Sequence, residues 1–194
     1  SPPGFDPLSA FDSTSFDIMV NHLEGLYAYD YASPNMEIIP RLALDYGTWN
    51  IDKTEWTIPL RNDVVWHDGS PFTAYDVKWN WDRLMYTVDN YDCEHEMLWY
   101  NDEGFQILSD VIVIDDYTIK FVLNKPWMDF FYLQAFPGCS LIKPISGYEY
   151  SLIENFEYDM IIGTGPYMLT DYVAGEQTSL KAFSDYYRGN ADVE

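Results

Sequence analysis

Basic residues are scarce in this chain. Ten lysines and arginines stand against 32 aspartates and glutamates in 194 residues, a formal net charge of −22. Nucleic-acid binding needs cationic side chains that displace counterions from phosphates, so that class of partner is excluded. An anionic membrane surface would repel the chain for the same reason. Cysteine is nearly absent as well, with only Cys93 and Cys139. A disulfide between them and two buried thiols are both open readings, and neither decides the compartment. No apolar run approaches the ~20 residues of a membrane-spanning helix. Internal repeats and low-complexity tracts are missing too.

What the chain does have is apolar and aromatic bulk. Hydrophobic residues make up 47% and aromatics 18%, with tyrosine the largest share. That is enough to build a core, and it excludes a disordered chain, which lacks the groups needed to bury surface. The acidity reads first as a solvated surface, of the kind suited to a salty habitat, and second as a field that favours cationic solutes.

Residues 1–15 read as an extended segment with turn chemistry, from Pro2-Pro3-Gly4 to Asp6-Pro7. Phe16, Met19, Val20 and Leu23 then recur at helical spacing; Ser13 or Ser15 can cap the start and Gly25 can end it. Leu26 to Tyr31 suggests a short strand. Trp56, Ile58 and Leu60 alternate with polar neighbours, and Pro59 inside that run points to an edge strand or a bulge. Val64 to Trp66 suggests another strand, closed by an Asp68-Gly69 turn. Thr73 and Asp76 form a capping pattern for a helix running to about Tyr86, followed by an acidic loop from Asp89 to Glu96. Val111–Ile114 and Thr118–Leu123 flank Asp115-Asp116 as a hairpin. Trp127 to Phe136 suggests a buried helix. Gly163-Thr164-Gly165-Pro166 is a sharp break before two more strands, Tyr167–Tyr172 and Thr178–Ala182. These elements describe a soluble, acidic α/β or α+β protein.

The punctuating segments say more when taken in order. Phe5-Asp6-Pro7 is similar to an opening "x-D-P", and Glu24-Gly25-Leu26 to a helix-to-strand "EGL". Pro40-Arg41-Leu42-Ala43 is similar to "P-x-L-A". The longest stretch, Trp56 to Arg83, carries Trp66-His67-Asp68-Gly69 and Thr73-Ala74-Tyr75-Asp76-Val77 in the pattern "H-D-G-x-P-x-T-A-x-D-V". Asp116-Tyr117-Thr118-Ile119, Asn124-Lys125-Pro126, Gly163 to Tyr167 and Asp185 to Gly189 continue the series. Together they resemble the peptide- and nickel-binding family of extracellular solute-binding proteins, family five, across nearly the whole chain.

The resemblance implies a mixed α/β clamshell of the type II periplasmic-binding-protein kind. It assigns residues 1–38 and 164–194 to part of the first lobe, and 39–163 to a small β-rich accessory lobe holding the structural "H-D-G" signature. A second large lobe would follow residue 194, and the solute would lie between it and the first. The implied partners are a peptide or similar small solute and the permease subunits of an ABC importer, with no cofactor and no catalytic or metal residue. The implied protein is extracellular or periplasmic, a monomer, and in its full-length form tethered to a membrane through an anchor absent from this stretch. Peptides, oligosaccharides and nickel chelates are all compatible solutes.

By the same resemblance, ligand contact falls on Phe11, Asp12, Ser13 and Thr14, between "D-P" and the first helix. The Asp6-to-Glu24 spacing matches peptide receptors without a gap. Backbone hydrogen bonds would hold an extended peptide there, and Asp12 could bind an ammonium group. Asp12-Ser13 is equally suited to capping the helix. Other groups invite chemistry but have ordinary readings. His67-Asp68 lacks a nucleophile partner and sits in a turn. Cys93-Glu94-His95-Glu96 matches no standard zinc framework. Asp115-Asp116, Asp102-Glu103 and Asp159 are too common in this sequence to single out a glycosidase pair. Trp79, Trp81 and Trp99 suit a core as well as a stacking platform. Two rival functions stay open: a carboxylate-dependent glycoside hydrolase, and a ligand-free surface module that reuses the fold.

Overall fold

The computed structural model describes residues 4–10, 12–90, 106–146, 150 and 158–189. In chain order the elements are α1 (Ser13–His22), β1 (Tyr27–Tyr29), β2 (Ile38–Pro40), β3 (Thr48–Trp49), β4 (Glu55–Pro59), α2 (Ala74–Asn90), β5 (Leu108–Asp115), β6 (Thr118–Leu123), α3 (Phe130–Leu133), β7 (Tyr167–Val173) and β8 (Gln177–Ala182). Two three-residue 3₁₀ turns, Pro137–Cys139 and Tyr158–Met160, complete the described set.

The centre is a four-stranded antiparallel sheet in the order β3-β4-β6-β5. Period-two patterning fixes its register: Trp56 and Ile58 on β4 face the same side as Ile119, Phe121 and Leu123 on β6, and all five are buried. Helix α2 covers that side with Val77, Trp81 and Leu84. Trp81 packs edge-on against Phe121 at 5.2 Å, and Phe130 of α3 meets Phe121 at 5.5 Å. Offset and edge-to-face contacts of this kind add to the burial of large rings. A second, smaller core gathers Phe5, Ala10, Met19, Leu23, Ile142 and Ile161 beneath α1. Two antiparallel ribbons flank the cores, β1 with β2 and β7 with β8.

Several elements differ from their sequence reading, each for a visible reason. β4 lies inside the sheet, not at its edge; Pro59 is its last residue, where the strand needs only its carbonyl, which accepts from Leu44 N at 2.8 Å. Val64–Trp66 makes one isolated bridge, Val65 to Pro71, because Gly69 turns the chain at φ +81. Helix α2 continues four residues past Tyr86 to Asn90, with the Asn90 side chain donating to the Tyr86 carbonyl at 2.8 Å. Between Trp127 and Phe136 only Phe130–Leu133 is α-helical. The capping pattern is present: Asp76 accepts from the Thr73 backbone N–H at 2.7 Å.

The two cores are joined by an ion pair. Arg83 of α2 and Asp6 of the leading segment are each 1% exposed and bind through both guanidinium nitrogens. Asp6 also accepts from Leu8 N at 3.1 Å, which fixes the turn before α1. Removing one partner of a buried pair leaves an uncompensated charge, at a cost of about 3–5 kcal/mol. Arg83→Met is therefore expected to lower the urea-unfolding free energy by about that amount. A loss below about 1 kcal/mol would show that the pair does not join the cores.

Candidate functional site

The residues singled out for ligand contact sit at the start of α1. Asp12 is the helix N-cap, in extended conformation at φ −133 and ψ 152. Its Oδ1 accepts from Ser15 N at 3.0 Å and its Oδ2 from Ser15 Oγ at 2.5 Å. Capping therefore engages both oxygens, although a carboxylate has further lone pairs to offer a ligand. Ser13 and Thr14 are exposed on the first turn, and Phe11 lies outside the described residues. One turn further on, Phe16 packs edge-on against Phe136 at 5.4 Å, so α1 leans on the loop that carries Pro137–Cys139.

Beyond Phe136 opens a cavity of about 200 Å³. Glu24, Arg41, Tyr27, Tyr29, Tyr31 and Tyr186 give it a polar, tyrosine-rich wall, and Val20 of α1 and Leu23 just after it an apolar one. Asp12, Ser13 and Thr14 do not line it. Its buried charged group is Glu24, 8% exposed. Its Oε1 accepts from Tyr186 Oη at 2.8 Å and Tyr187 Oη at 3.1 Å, and its Oε2 from Thr164 Oγ1 at 3.2 Å. Burial pushes the Glu24 carboxyl up to about 7, against the pull of those hydroxyls and of the Arg41 guanidinium. Burial and the adjacent Glu24 also raise both tyrosine hydroxyls. Arg61 stacks over Tyr187, 4.6 Å from the ring centre, and so steadies one of the donors. Sequence reasoning treated Glu24, Arg41 and Tyr186–Tyr187 only as signature positions. What it could not see is that residues about 160 apart share one carboxylate.

The strand crossing at Gly163-Thr164-Gly165-Pro166 is held equally closely. A Cβ at Gly163 would lie 2.0 Å from the His22 carbonyl oxygen, and one at Gly165 2.7 Å from the Asn21 carbonyl oxygen. Both positions therefore need glycine for close backbone approach. His67 N donates to Gly163 O at 2.9 Å, and Gly165 N to His22 O at 3.0 Å. His67 is thus a structural tie; its Nε2 lies 2.9 Å from Gly165 O. Asp68 binds the Lys143 ammonium and the Ser70 hydroxyl; burial works against its charge, but these partners hold its carboxyl down at about 2.

The remaining candidates separate cleanly. Trp81 is core, 3% exposed, and Trp79 lies 5.8 Å from the Arg83 guanidinium. Asp115 and Asp116 are exposed in the hairpin turn, and Asp159 is exposed on its 3₁₀ turn. Cys139 is a buried free thiol. Trp99, Asp102, Glu103 and the run Cys93-Glu94-His95-Glu96 lie outside the described residues. Among the described residues no three His, Cys, Asp or Glu side chains are grouped to hold a metal ion.

Comparison with known proteins gives a consistent result. Residues 37–194 match the family described as bacterial extracellular solute-binding proteins, family 5 Middle. The glutathione-binding protein GsiB of Pectobacterium atrosepticum is 30% identical over 183 residues, which is 94% of this chain and 33% of that protein. The chain thus spans about a third of the length of the curated relatives it matches. Among solved structures, HbpA2 from Haemophilus parasuis superposes on 100% of this chain and 40% of its own, with a TM-score of 0.80 at 25% identity. CtaP from Listeria monocytogenes, a substrate-binding protein of an ABC transporter, covers 98% of this chain and 36% of its own, with a TM-score of 0.77 at 27% identity.

The Glu24 cluster has a measurable signature. A carboxyl raised from 4.5 to about 7 on folding binds its proton more tightly in the folded state. Its contribution to stability is full below pH 4.5 and is lost as pH rises through 7, roughly 3 kcal/mol at ~1.4 kcal/mol per unit. The stability of the native protein relative to Glu24→Gln is expected to fall over that window in denaturant titrations at successive pH values. A pH-independent difference would contradict the assignment.

Proposed function

We propose that this chain, which belongs to the family 5 bacterial extracellular solute-binding proteins, forms one side of a receptor that captures a peptide or similar small solute outside the membrane and hands it to the permease of an ABC importer. Superposition of 98% of the chain on CtaP, a solved substrate-binding protein of an ABC transporter, is the observation that carries this reading. In it, residues 1–38 and 164–194 belong to the first lobe and 39–163 to the accessory lobe. The capture step is a shift between open and closed arrangements of the lobes, with no bond made or broken, so the protein is not an enzyme. The full-length receptor acts as a monomer held near the membrane by an anchor.

Phe11, Asp12, Ser13 and Thr14 are the proposed ligand contacts, with the Glu24–Arg41 cavity behind them. Two features support this placement: Ser13 and Thr14 are exposed, and Asp12 keeps lone pairs for a ligand ammonium after capping. A tripeptide such as glutathione is the first solute to test, since a 30%-identical relative is named for it.

Isothermal titration of the full-length protein with glutathione and with mixed short peptides is the direct test. Saturable binding without turnover is expected. Hydrolysis of a glycoside would favour the hydrolase, and no binding of any peptide, sugar or metal chelate would favour a structural module. Asp12→Ser retains a capping side chain but removes the charge. It is expected to weaken peptide binding about tenfold or more, the worth of one hydrogen bond to a charged group. An unchanged affinity would leave Asp12 with the cap alone.

A further inference from the structure

Two histidines grip the strand crossing from one side. His22, 3% exposed at the end of α1, places Nε2 2.6 Å from Ile161 O, and its Nδ1 accepts from Leu169 N at 3.0 Å. With the Leu169 amide donating to Nδ1, His22 carries its proton on Nε2; the Tyr167 carbonyl lies 3.2 Å from the same Nδ1. His67 donates from Nε2 to Gly165 O at 2.9 Å, while its buried Nδ1 has no hydrogen-bond partner among the described residues. The two rings lie 4.9 Å apart, and Phe183 closes over His67 at 4.9 Å. Each imidazole thus donates from Nε2 to a carbonyl at the crossing, Ile161 O or Gly165 O.

We infer that the His22–His67 pair makes the segment 161–169 an acid-released joint: a proton on either ring breaks or strands a contact that holds the crossing. On His67 the added N–H would sit at a buried position without an acceptor. On His22 it would face the Leu169 N–H donor and break that bond; Nε2–H would keep the Ile161 carbonyl, and the new N–H would have only the Tyr167 carbonyl, 3.2 Å from Nδ1. Charging both rings adds repulsion between them.

The surroundings offer little compensation. Asp68 stands next to His67 and its charge favours the protonated ring, but its ion pair with Lys143 and the burial of His67 outweigh that pull. A second cavity, of about 210 Å³, adjoins both rings and is also lined by Tyr158 and Asp159, and Asp159 is exposed to solvent. Glu24 holds the crossing from the other side through Thr164 and has the opposite linkage, since burial favours its neutral form. Acid therefore leaves the Glu24 grip in place and loosens the histidine grip. Burial is the largest cause that lowers both imidazoles, His67 to about 4. Their contribution is present above the unfolded value of 6.5 and is lost as pH falls towards 4. In the receptor reading this crossing joins two lobes, and acid would free the hinge; that consequence rests on the proposed function, whereas the joint does not.

Hydrogen exchange by mass spectrometry on the full-length protein tests the joint, after correction for the intrinsic pH dependence of exchange. The opening constant of peptides covering 161–169 is expected to rise about tenfold per pH unit between 6 and 4.5, the linkage of one proton. Peptides from β6 should not follow. His67→Gln keeps a donor but cannot titrate, and is expected to flatten the rise. A flat response in the native protein, or an unchanged rise in both His67→Gln and His22→Gln, would overturn the inference. Should the variants fail to fold, nuclear magnetic resonance of the histidine-labelled native protein decides it: neutral Nε2–H rings down to about pH 5 support the joint, and a charged ring at pH 6 refutes it.

Discussion

One buried carboxylate orders much of what surrounds the candidate site. Glu24 receives hydroxyl hydrogen bonds from Thr164, Tyr186 and Tyr187, so three places far apart in the sequence must converge on it. A carboxylate in a dry setting is unfavourable unless its lone pairs are satisfied. That requirement places the Gly163–Pro166 crossing against α1 and brings the last described turn back to the first helix. The glycines permit the close approach, since a Cβ at either one would strike the backbone of α1. The cavity behind Phe136 exists because these segments meet around Glu24 without filling the space between them.

The sparse cations are used in the same economical way. Arg83 is spent on Asp6, Lys143 on Asp68, Lys120 on Glu55, Lys78 on Asp82 and Arg61 on Asp63. Only the first of these is fully buried, and it joins the two cores; the others lie at the surface, where such pairs contribute little. With 32 acidic residues against ten basic ones, the chain keeps a large excess of negative charge. That field suits solubility and would attract cationic groups, in keeping with an ammonium-bearing solute.

Much of this was legible in the sequence where a local rule decides. The alternation of Trp56 and Ile58, and of Ile119, Phe121 and Leu123, gave strands with the correct inward face. Thr73 with Asp76 marked the start of α2, and the ordered motifs marked the family. What failed were boundaries set by packing: Pro59 reads as an edge residue until its position at the end of an interior strand is known, and α2 outruns its apolar stripe by a turn. The candidate site was legible only in part. Asp12 announced a cap, which the structure contains, but nothing local in Glu24, Tyr186 or His22 reveals a shared crossing. Long-range polar convergence leaves no periodic trace.

The crossing and the cavity take on a purpose only if the complete protein holds a solute. Native mass spectrometry of the full-length protein, purified from its source without refolding, tests that claim most directly. The account requires a population carrying the added mass of short peptides, which dissociates on gentle activation. A protein that carries only a sugar or a metal complex, or that stays free of ligand even when supplied with peptides, would contradict it.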